Sequence, residues 1–122
     1  MLGRLDVDSL LQGDVLFLVA RDVDGAAVGC AALARRDAED EGYGEIKRMF
    51  VDERKRGLGT GRQLLDHIAM FARMCGVREL KLETGIHQPE ALSLYEGFGF
   101  ARCGPFGAYG EDPLSVFMEK RL

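Results

Sequence analysis

The chain has 122 residues, of which 47% are hydrophobic and 30% charged, with a net charge of −4. That balance excludes low-complexity disorder, collagen and a disulfide scaffold, and a chain of this size buries roughly two-thirds of its unfolded surface, enough for one core. The longest apolar runs, such as Val15 to Ala20, fall far short of the ~20 residues a membrane-crossing helix needs. The opening Met1-Leu2-Gly3-Arg4-Leu5-Asp6 has no basic stretch followed by a long apolar core, so no secretory leader is expected. Cys30, Cys75 and Cys103 are odd in number and widely spaced, with no CxxC pair. They point to reduced thiols in a cytoplasmic protein and to no zinc site.

In chain order, the first thirteen residues hold no strong element; Asp8 or Ser9 caps a short turn that Gly13 ends. Val15 to Ala20 is a β-type run, Asp22-Val23-Asp24-Gly25 is a turn, and Ala27 to Arg35 completes a hairpin. Arg36 to Gly44 is acidic and reads as a solvated loop. Glu45 to Val51 is a strand whose alternation fails at Met49-Phe50-Val51; a bulge or burial on both faces accounts for this, and the bulge is preferred. Gly57 to Cys75 is the clearest helix, with Leu58, Gly61, Leu65, Ile68, Ala72 and Cys75 at helical spacing, and Gly76 ends it. Arg78 to Thr84 alternates strictly and is a strand. Pro89 opens a second helix, capped near His87 or Gln88 and running to about Phe98. Phe100 to Cys103 and Leu114 to Glu119 are the last two strands. The order β-β-β-α-β-α-β-β gives a mixed sheet with two crossover helices, α/β or α+β, in one domain over residues 1–122.

Charge is concentrated. Between Lys47 and Arg62 stand six basic residues (Lys47, Arg48, Arg54, Lys55, Arg56, Arg62) against Asp52 and Glu53, so this window is positive while the rest is acidic. Such a chain is poorly suited to coat nucleic acid, which wants a broad positive face, and well suited to hold one small polyanion. Within the window, Asp52 to Arg62 reads DERKRGLGTGR, directly after a strand and before the best helix. Unpaired N–H groups and the helix dipole make that junction an anion site, and Gly57, Gly59 and Gly61 let a phosphate approach the backbone. The bland alternative is a glycine-rich loop on a solvated basic face. A Walker loop is excluded because Gly61 is followed by Arg62-Gln63, and a dinucleotide fingerprint because its third glycine comes one position early.

Arg54-Lys55-Arg56-Gly57-Leu58-Gly59 matches [QR]xxGx[GA], the signature of the GCN5-related N-acetyltransferases, the GNAT superfamily. Glu45 to Val51 resembles that family's fourth strand. Ala91-Leu92-Ser93-Leu94-Tyr95-Glu96-Gly97-Phe98-Gly99-Phe100 resembles its A-x-x-L-Y-x-x-x-G-F motif. The resemblance covers about residues 15 to 120. It implies a mixed, mostly antiparallel central sheet with two crossover helices, acetyl-CoA as co-substrate, no metal, and a primary amine of a small molecule or peptide as acceptor. It also implies that the fourth and fifth strands splay apart around the pantetheine arm. The arm's amides would pair with backbone at Met49, Phe50 and Val51, the pyrophosphate would sit on the turn of Arg56, Gly57, Leu58, Gly59, Thr60 and Gly61, and Arg54 is a further cofactor-binding candidate.

By the same resemblance, Glu45 is the candidate general base in a direct transfer within a ternary complex, since an alkyl ammonium near pKa ~10 must lose a proton first. A structural ion pair is the alternative for Glu45. An N–H of Met49 or Phe50 is a candidate oxyanion donor. Tyr95 stands where the family places a tyrosine that protonates the departing thiolate; a core aromatic beside Leu92, Leu94 and Phe98 is the alternative. Gln88 replaces the asparagine that many members set against the pantetheine, next to His87. His67 reads as a surface histidine, and Cys75 and Cys103 have no neighbouring base to make them nucleophiles. The acidic stretch Asp37 to Glu41 and the pair Glu111-Asp112 are either attractors of a cationic amine or solvated loop charge.

Only about fourteen residues precede the first clear strand, so the fold is expected to be N-terminally shortened, lacking most of the usual helical region. One flank of the sheet then stays open, and a homodimer is expected to cover it. The rival function is a non-catalytic CoA- or protein-binding module on a truncated fold; a nucleotide switch is a distant third.

Overall fold

Alternation decides the strands. In β2 (Val15–Arg21), Leu16, Leu18 and Ala20 are buried while the residues between them are not. That is the pattern of a sheet with one face on a core. The computed structural model describes residues 5–36, 42–55 and 59–122. Besides β2 it contains β1 (Asp6–Gln12), β3 (Ala27–Arg36), β4 (Tyr43–Val51), a 3-10 turn at Glu53–Lys55 and α1 (Thr60–Met74). Then come β5 (Glu79–Gly85), α2 (Pro89–Phe98), β6 (Ala101–Cys103) and β7 (Ser115–Arg121). The seven strands form one sheet in the order β1-β2-β3-β4-β5-β7-β6, antiparallel except for β4 and β5. Leu64, Leu65, Ile68 and Ala72 of α1 meet Leu16, Leu18, Leu33, Ile46, Leu80 and Leu82 in the core. Each such leucine contributes roughly 1.5–3 kcal/mol of burial.

Four expectations need correcting. Asp6–Gln12 is a strand, not a capped turn: all seven residues pair with β2, from Asp6 opposite Arg21 to Gln12 opposite Val15. Its side chains are almost all exposed, so no apolar alternation marked it. The ladder and the 2.9 Å Arg21–Asp8 ion pair order it instead. Gly13 supplies a positive φ of 62° in the two-residue link to β2, and no helix intervenes there. Arg36 belongs to β3 and Tyr43 to β4, so both strands run further into the acidic connection than expected; residues 37–41 lie outside the described ones. Finally, α1 starts at Thr60 rather than Gly57, because Gly59 has φ 76° and cannot be helical. Gly76, with φ 78°, closes α1 as anticipated, its N–H on Arg73 O and that of Val77 on Ala72 O.

Two features of β4 position everything that follows. First, Cys30 pairs with Phe50 but Ala32 pairs with Lys47, so β4 carries one extra residue there. This is the bulge, and Arg48 at φ 55° is its strained residue. Second, β4 and β5 pair only at Gly44–Leu80, Glu45–Lys81 and Ile46–Leu82. Beyond Ile46 the two strands part, while β5 stays paired with β7 to Gly85. No helix among the described residues is long and apolar enough to cross a membrane.

Candidate active site

The gap beyond Ile46 opens into a groove of about 550 Å³. Met49, Phe50 and Val51 of β4 form one wall, Gly59, Thr60, Gly61 and Arg62 the end, and Gln88, Glu90, Ala91 and Leu94 the wall contributed by α2. Phe50 is 61% exposed despite its size. At the end of the groove α1 begins without any side-chain cap on its first N–H groups. Those donors, which no side chain caps among the described residues, and the positive end of the helix dipole form an anion site.

The glycines divide the work. Gly59 provides the left-handed turn into the helix. Gly61 is needed for packing rather than for anion approach, since a Cβ there would lie 2.7 Å from Leu94 Cδ2. Gly29 on β3 does the same for the start of α1: a Cβ would meet Phe50 O and Thr60 Cγ2, each at 3.0 Å. Thr60 itself is 2% exposed, and its Oγ1 is a buried polar atom with no hydrogen-bond partner. An unmade hydrogen bond of that kind costs ~1–3 kcal/mol, so a group that supplies it is favoured there.

A second cavity, about 750 Å³, lies further up β4 and is lined by Tyr43, Glu45 and Lys47 together with Asp14, Arg35, Arg36 and the 107–109 segment. Glu45 is only 4% exposed. Arg36 Nε donates to its Oε1 at 3.0 Å and the Tyr109 hydroxyl to its Oε2 at 2.6 Å. The Tyr109 hydroxyl is pushed up to about 12, chiefly by that hydrogen bond to a carboxylate and secondly by burial. Tyr109 stands in an aromatic cluster, its ring 5.1 Å from Phe106 and 5.5 Å from Phe117, with Tyr43 5.6 Å beyond Phe106. Behind it, Lys81 Nζ lies 5.7 Å from both the Tyr43 and Phe106 rings. Burial opposes the Lys81 charge, but its ion pairs with Glu119 and Glu79 outweigh that and raise its pKa.

Of the residues singled out from sequence, the groove gathers Met49, Phe50, Val51, Gly59, Thr60, Gly61 and Gln88. Arg54 does not line it; the side chain is exposed and turned to Asp52 at 3.5 Å. Arg56, Gly57 and Leu58 lie outside the described residues. Glu45 belongs to the second cavity. Tyr95 lines neither: it is 5% exposed, edge-on to Phe100 at 5.8 Å, and burial pushes its hydroxyl up to about 12. Sequence reading missed Glu90, Ala91 and Leu94 as groove residues, although the spacing of Leu94 from Glu90 and Ala91, four and three residues, was a usable signal. It noted Tyr109 only as part of an aromatic loop. Among the described residues no group of three or more His, Cys, Asp or Glu side chains is placed to hold a metal.

The acetyltransferase (GNAT) family model matches residues 4–100. The chain belongs to the GNAT family. A relative from Azospirillum brasilense described as an IAA acetyltransferase is 52% identical over 118 residues, spanning 97% of this chain and 75% of that one. The crystal structure of a putative acyl-CoA N-acyltransferase from Klebsiella pneumoniae superposes with a TM-score of 0.84 at 42% identity, covering 93% of this chain and 76% of that one. A GNAT family acetyltransferase from Elizabethkingia anophelis with acetyl-CoA bound shares the fold, at TM-score 0.75 and 18% identity over 97% of this chain and 98% of that one. As a GNAT acetyltransferase, the chain belongs to enzymes that use acetyl-CoA. The splayed strands, the bulge and the uncapped helix are therefore features of an acyltransferase fold.

Proposed function

We propose that the protein moves an acetyl group from acetyl-CoA to a primary amine by direct transfer in a ternary complex. One observation carries this reading: β4 lines both cavities, with Met49, Phe50 and Val51 in the groove and Tyr43, Glu45 and Lys47 in the other. A donor held in the groove and an acceptor beside Glu45 would share one strand. Past Ile46 the unpaired edge of β4 offers N–H and C=O groups to an extended amide chain, as a sheet edge does to a peptide. The first N–H groups of α1 and the unpartnered Thr60 hydroxyl suit a pyrophosphate. Bound acetyl-CoA supplies the activated thioester.

The protein's own groups supply the rest. Glu45 takes the proton of the incoming ammonium, directly or through a water, while Arg36 and Tyr109 hold its carboxylate in place. An N–H next to the Arg48 bulge, from Met49 or Phe50, stabilises the developing oxyanion. Tyr95, with its hydroxyl pushed up to about 12, is neutral at pH 7 and able to protonate the departing thiolate. The free thiols of Cys30, Cys75 and Cys103 fit the cytoplasmic location we assign to it.

Calorimetric titration with acetyl-CoA, with dephospho-CoA and ATP as controls, tests the donor half. Micromolar binding is expected for acetyl-CoA, with a melting shift of several degrees, because ligand at 100-fold its Kd stabilises by ~2.7 kcal/mol. Absence of binding would overturn the reading in favour of a protein-binding module. The two donors already engaging Glu45, and the burial of Tyr95 outside the groove lining, favour a second reading, a CoA-binding module without turnover. A broad amine panel separates the two.

A further inference from the structure

Another cavity, of about 460 Å³, lies at the far end of α1 from the groove. Leu11, Leu16 and Leu33 of the sheet line it together with Phe71 and Ala72 of α1 and Val77. Ala72 stands about 18 Å along the helix from Thr60, so this cavity is remote from the anion site. The strand register fixes which charged side chains reach it. Leu16 pairs with Leu33 and Val15 with Ala34, and one step on the Arg35 N–H donates to Asp14 O at 2.8 Å. Side chains alternate, so Asp14 and Arg35 fall on the face of Leu16, Leu33 and Gly44, towards α1. Arg36 and Glu45 fall on the opposite face, and the two cavities share only Asp14 and Arg35 among the described residues. Both of these side chains are exposed, and neither makes an ion pair with a described residue.

Small-molecule sites are mostly apolar, with a few polar groups that fix the ligand's orientation. Here the walls are hydrocarbon, while the mouth holds one guanidinium and one carboxylate on neighbouring strands. The carboxylate repels a plain acid and the guanidinium repels a plain amine. A ligand that carries both charges close together meets both partners. Cys75, the C-cap of α1, also lines the cavity, and the negative end of the helix dipole favours a cation there. We propose that this cavity binds a free α-amino acid with an apolar side chain. Its carboxylate meets Arg35, its ammonium meets Asp14, and its side chain lies among Leu16, Leu33, Phe71 and Val77. The inference stands apart from the acetyltransferase reading, because the ligand is held on the face of the sheet away from Glu45 and is not the acceptor.

Calorimetry and backbone-amide NMR shifts test this in the absence of acetyl-CoA, with leucine and phenylalanine as probes. Three analogues of leucine dissect the site: 4-methylpentanoate lacks the ammonium, 3-methylbutylamine lacks the carboxylate, and alanine lacks the long side chain. Leucine or phenylalanine is expected to bind at millimolar concentration or below. The amides of Phe71, Cys75 and Val77 should shift, and those of Lys47 and Tyr109 should not. Each analogue should bind about tenfold or more weakly than leucine, the scale of one charge-assisted hydrogen bond or one buried alkyl side chain. Arg35→Gln and Asp14→Asn, both at exposed positions, should weaken leucine by a similar factor without unfolding the protein. Equal affinity for leucine and 4-methylpentanoate overturns the inference, as does equal affinity of wild type and Arg35→Gln for leucine. The absence of any shift at tens of millimolar of either probe overturns it too. Shifts at Lys47 and Tyr109 in place of Val77 would put the amino acid in the Glu45 cavity and sink the idea.

Discussion

Glu45 is almost sealed from solvent, yet it is held by a residue 64 positions away in sequence, through the 2.6 Å hydrogen bond from Tyr109. No local pattern pairs such residues; the pairing exists because the β6–β7 loop meets β4 where it is still paired with β5, at Glu45 opposite Lys81. Replacing Tyr109 with Phe keeps the ring against Phe106 and Phe117 and removes only the donor. It should cost about 1 kcal/mol of stability in denaturant titration. It should also lower acceptor kcat/KM about tenfold while leaving the Kd of acetyl-CoA alone. An acceptor kcat/KM that does not move would reduce the contact to a structural one. Tyr95 makes a separate prediction. An unfolded tyrosine titrates near pH ~10 and Tyr95 at about 12, so the folded state holds this proton more tightly. Its contribution, on the order of 3 kcal/mol at most, is complete below pH ~10 and drains away as pH rises toward 12. Tyr95→Phe should flatten that loss in melting curves, and as the proposed acid it should lower kcat by tenfold or more. Turnover within about threefold of wild type at every pH would remove the acid role and leave a core aromatic.

At the scale of elements, legibility followed burial. Helix α1 and strand β5 were plain because each presents one apolar face to the core, and the bulge showed itself in the broken alternation at Met49-Phe50-Val51. Its site did not, because φ 55° at Arg48 is a tertiary outcome: the chain shifts register between Lys47 and Phe50 to keep both flanks paired with β3. Strand β1 was invisible for the opposite reason, as its order comes from backbone pairing with little side-chain burial. The glycine-rich turn was read as one anion cradle, yet Gly61 keeps α1 and α2 in contact and so fixes the groove's width. Gly61→Ala should cost about 1–2 kcal/mol, because Leu94 must give way or push α2 outward. Trimming the obstacle restores space, so Gly61→Ala with Leu94→Ala should show a favourable coupling in a double-mutant cycle. Independent, additive losses in both denaturation and acetyl-CoA binding would mean that the Gly61–Leu94 contact does not set the groove.

The whole molecule carries an uneven surface. Strand β1 is one edge of the sheet, and the β1–β2 hairpin shows apolar side chains on both faces. Leu10 (63% exposed) pairs with Phe17 (38%) on one face. On the other, Leu11 (69% exposed) rims an apolar cavity of about 460 Å³ shared with Leu16, Leu33, Phe71 and Val77. An edge strand with apolar flanks that no described strand pairs with is a template for pairing with another chain, and stable proteins normally cover or charge it. A second copy is a self-complementary cover, because two antiparallel β1 strands related by a two-fold axis would extend the sheet and bury Leu10 and Phe17 together. The protein is therefore expected to scatter light as a dimer at tens of micromolar. Leu10→Lys places a like charge on both sides of the axis and should shift it to a monomer without unfolding, since Leu10 contributes little to the core. A wild-type protein that stays monomeric at that concentration would show that the hairpin needs no cover. The Glu45 cavity, which Asp14 of this same hairpin helps to line, would then be complete within one chain.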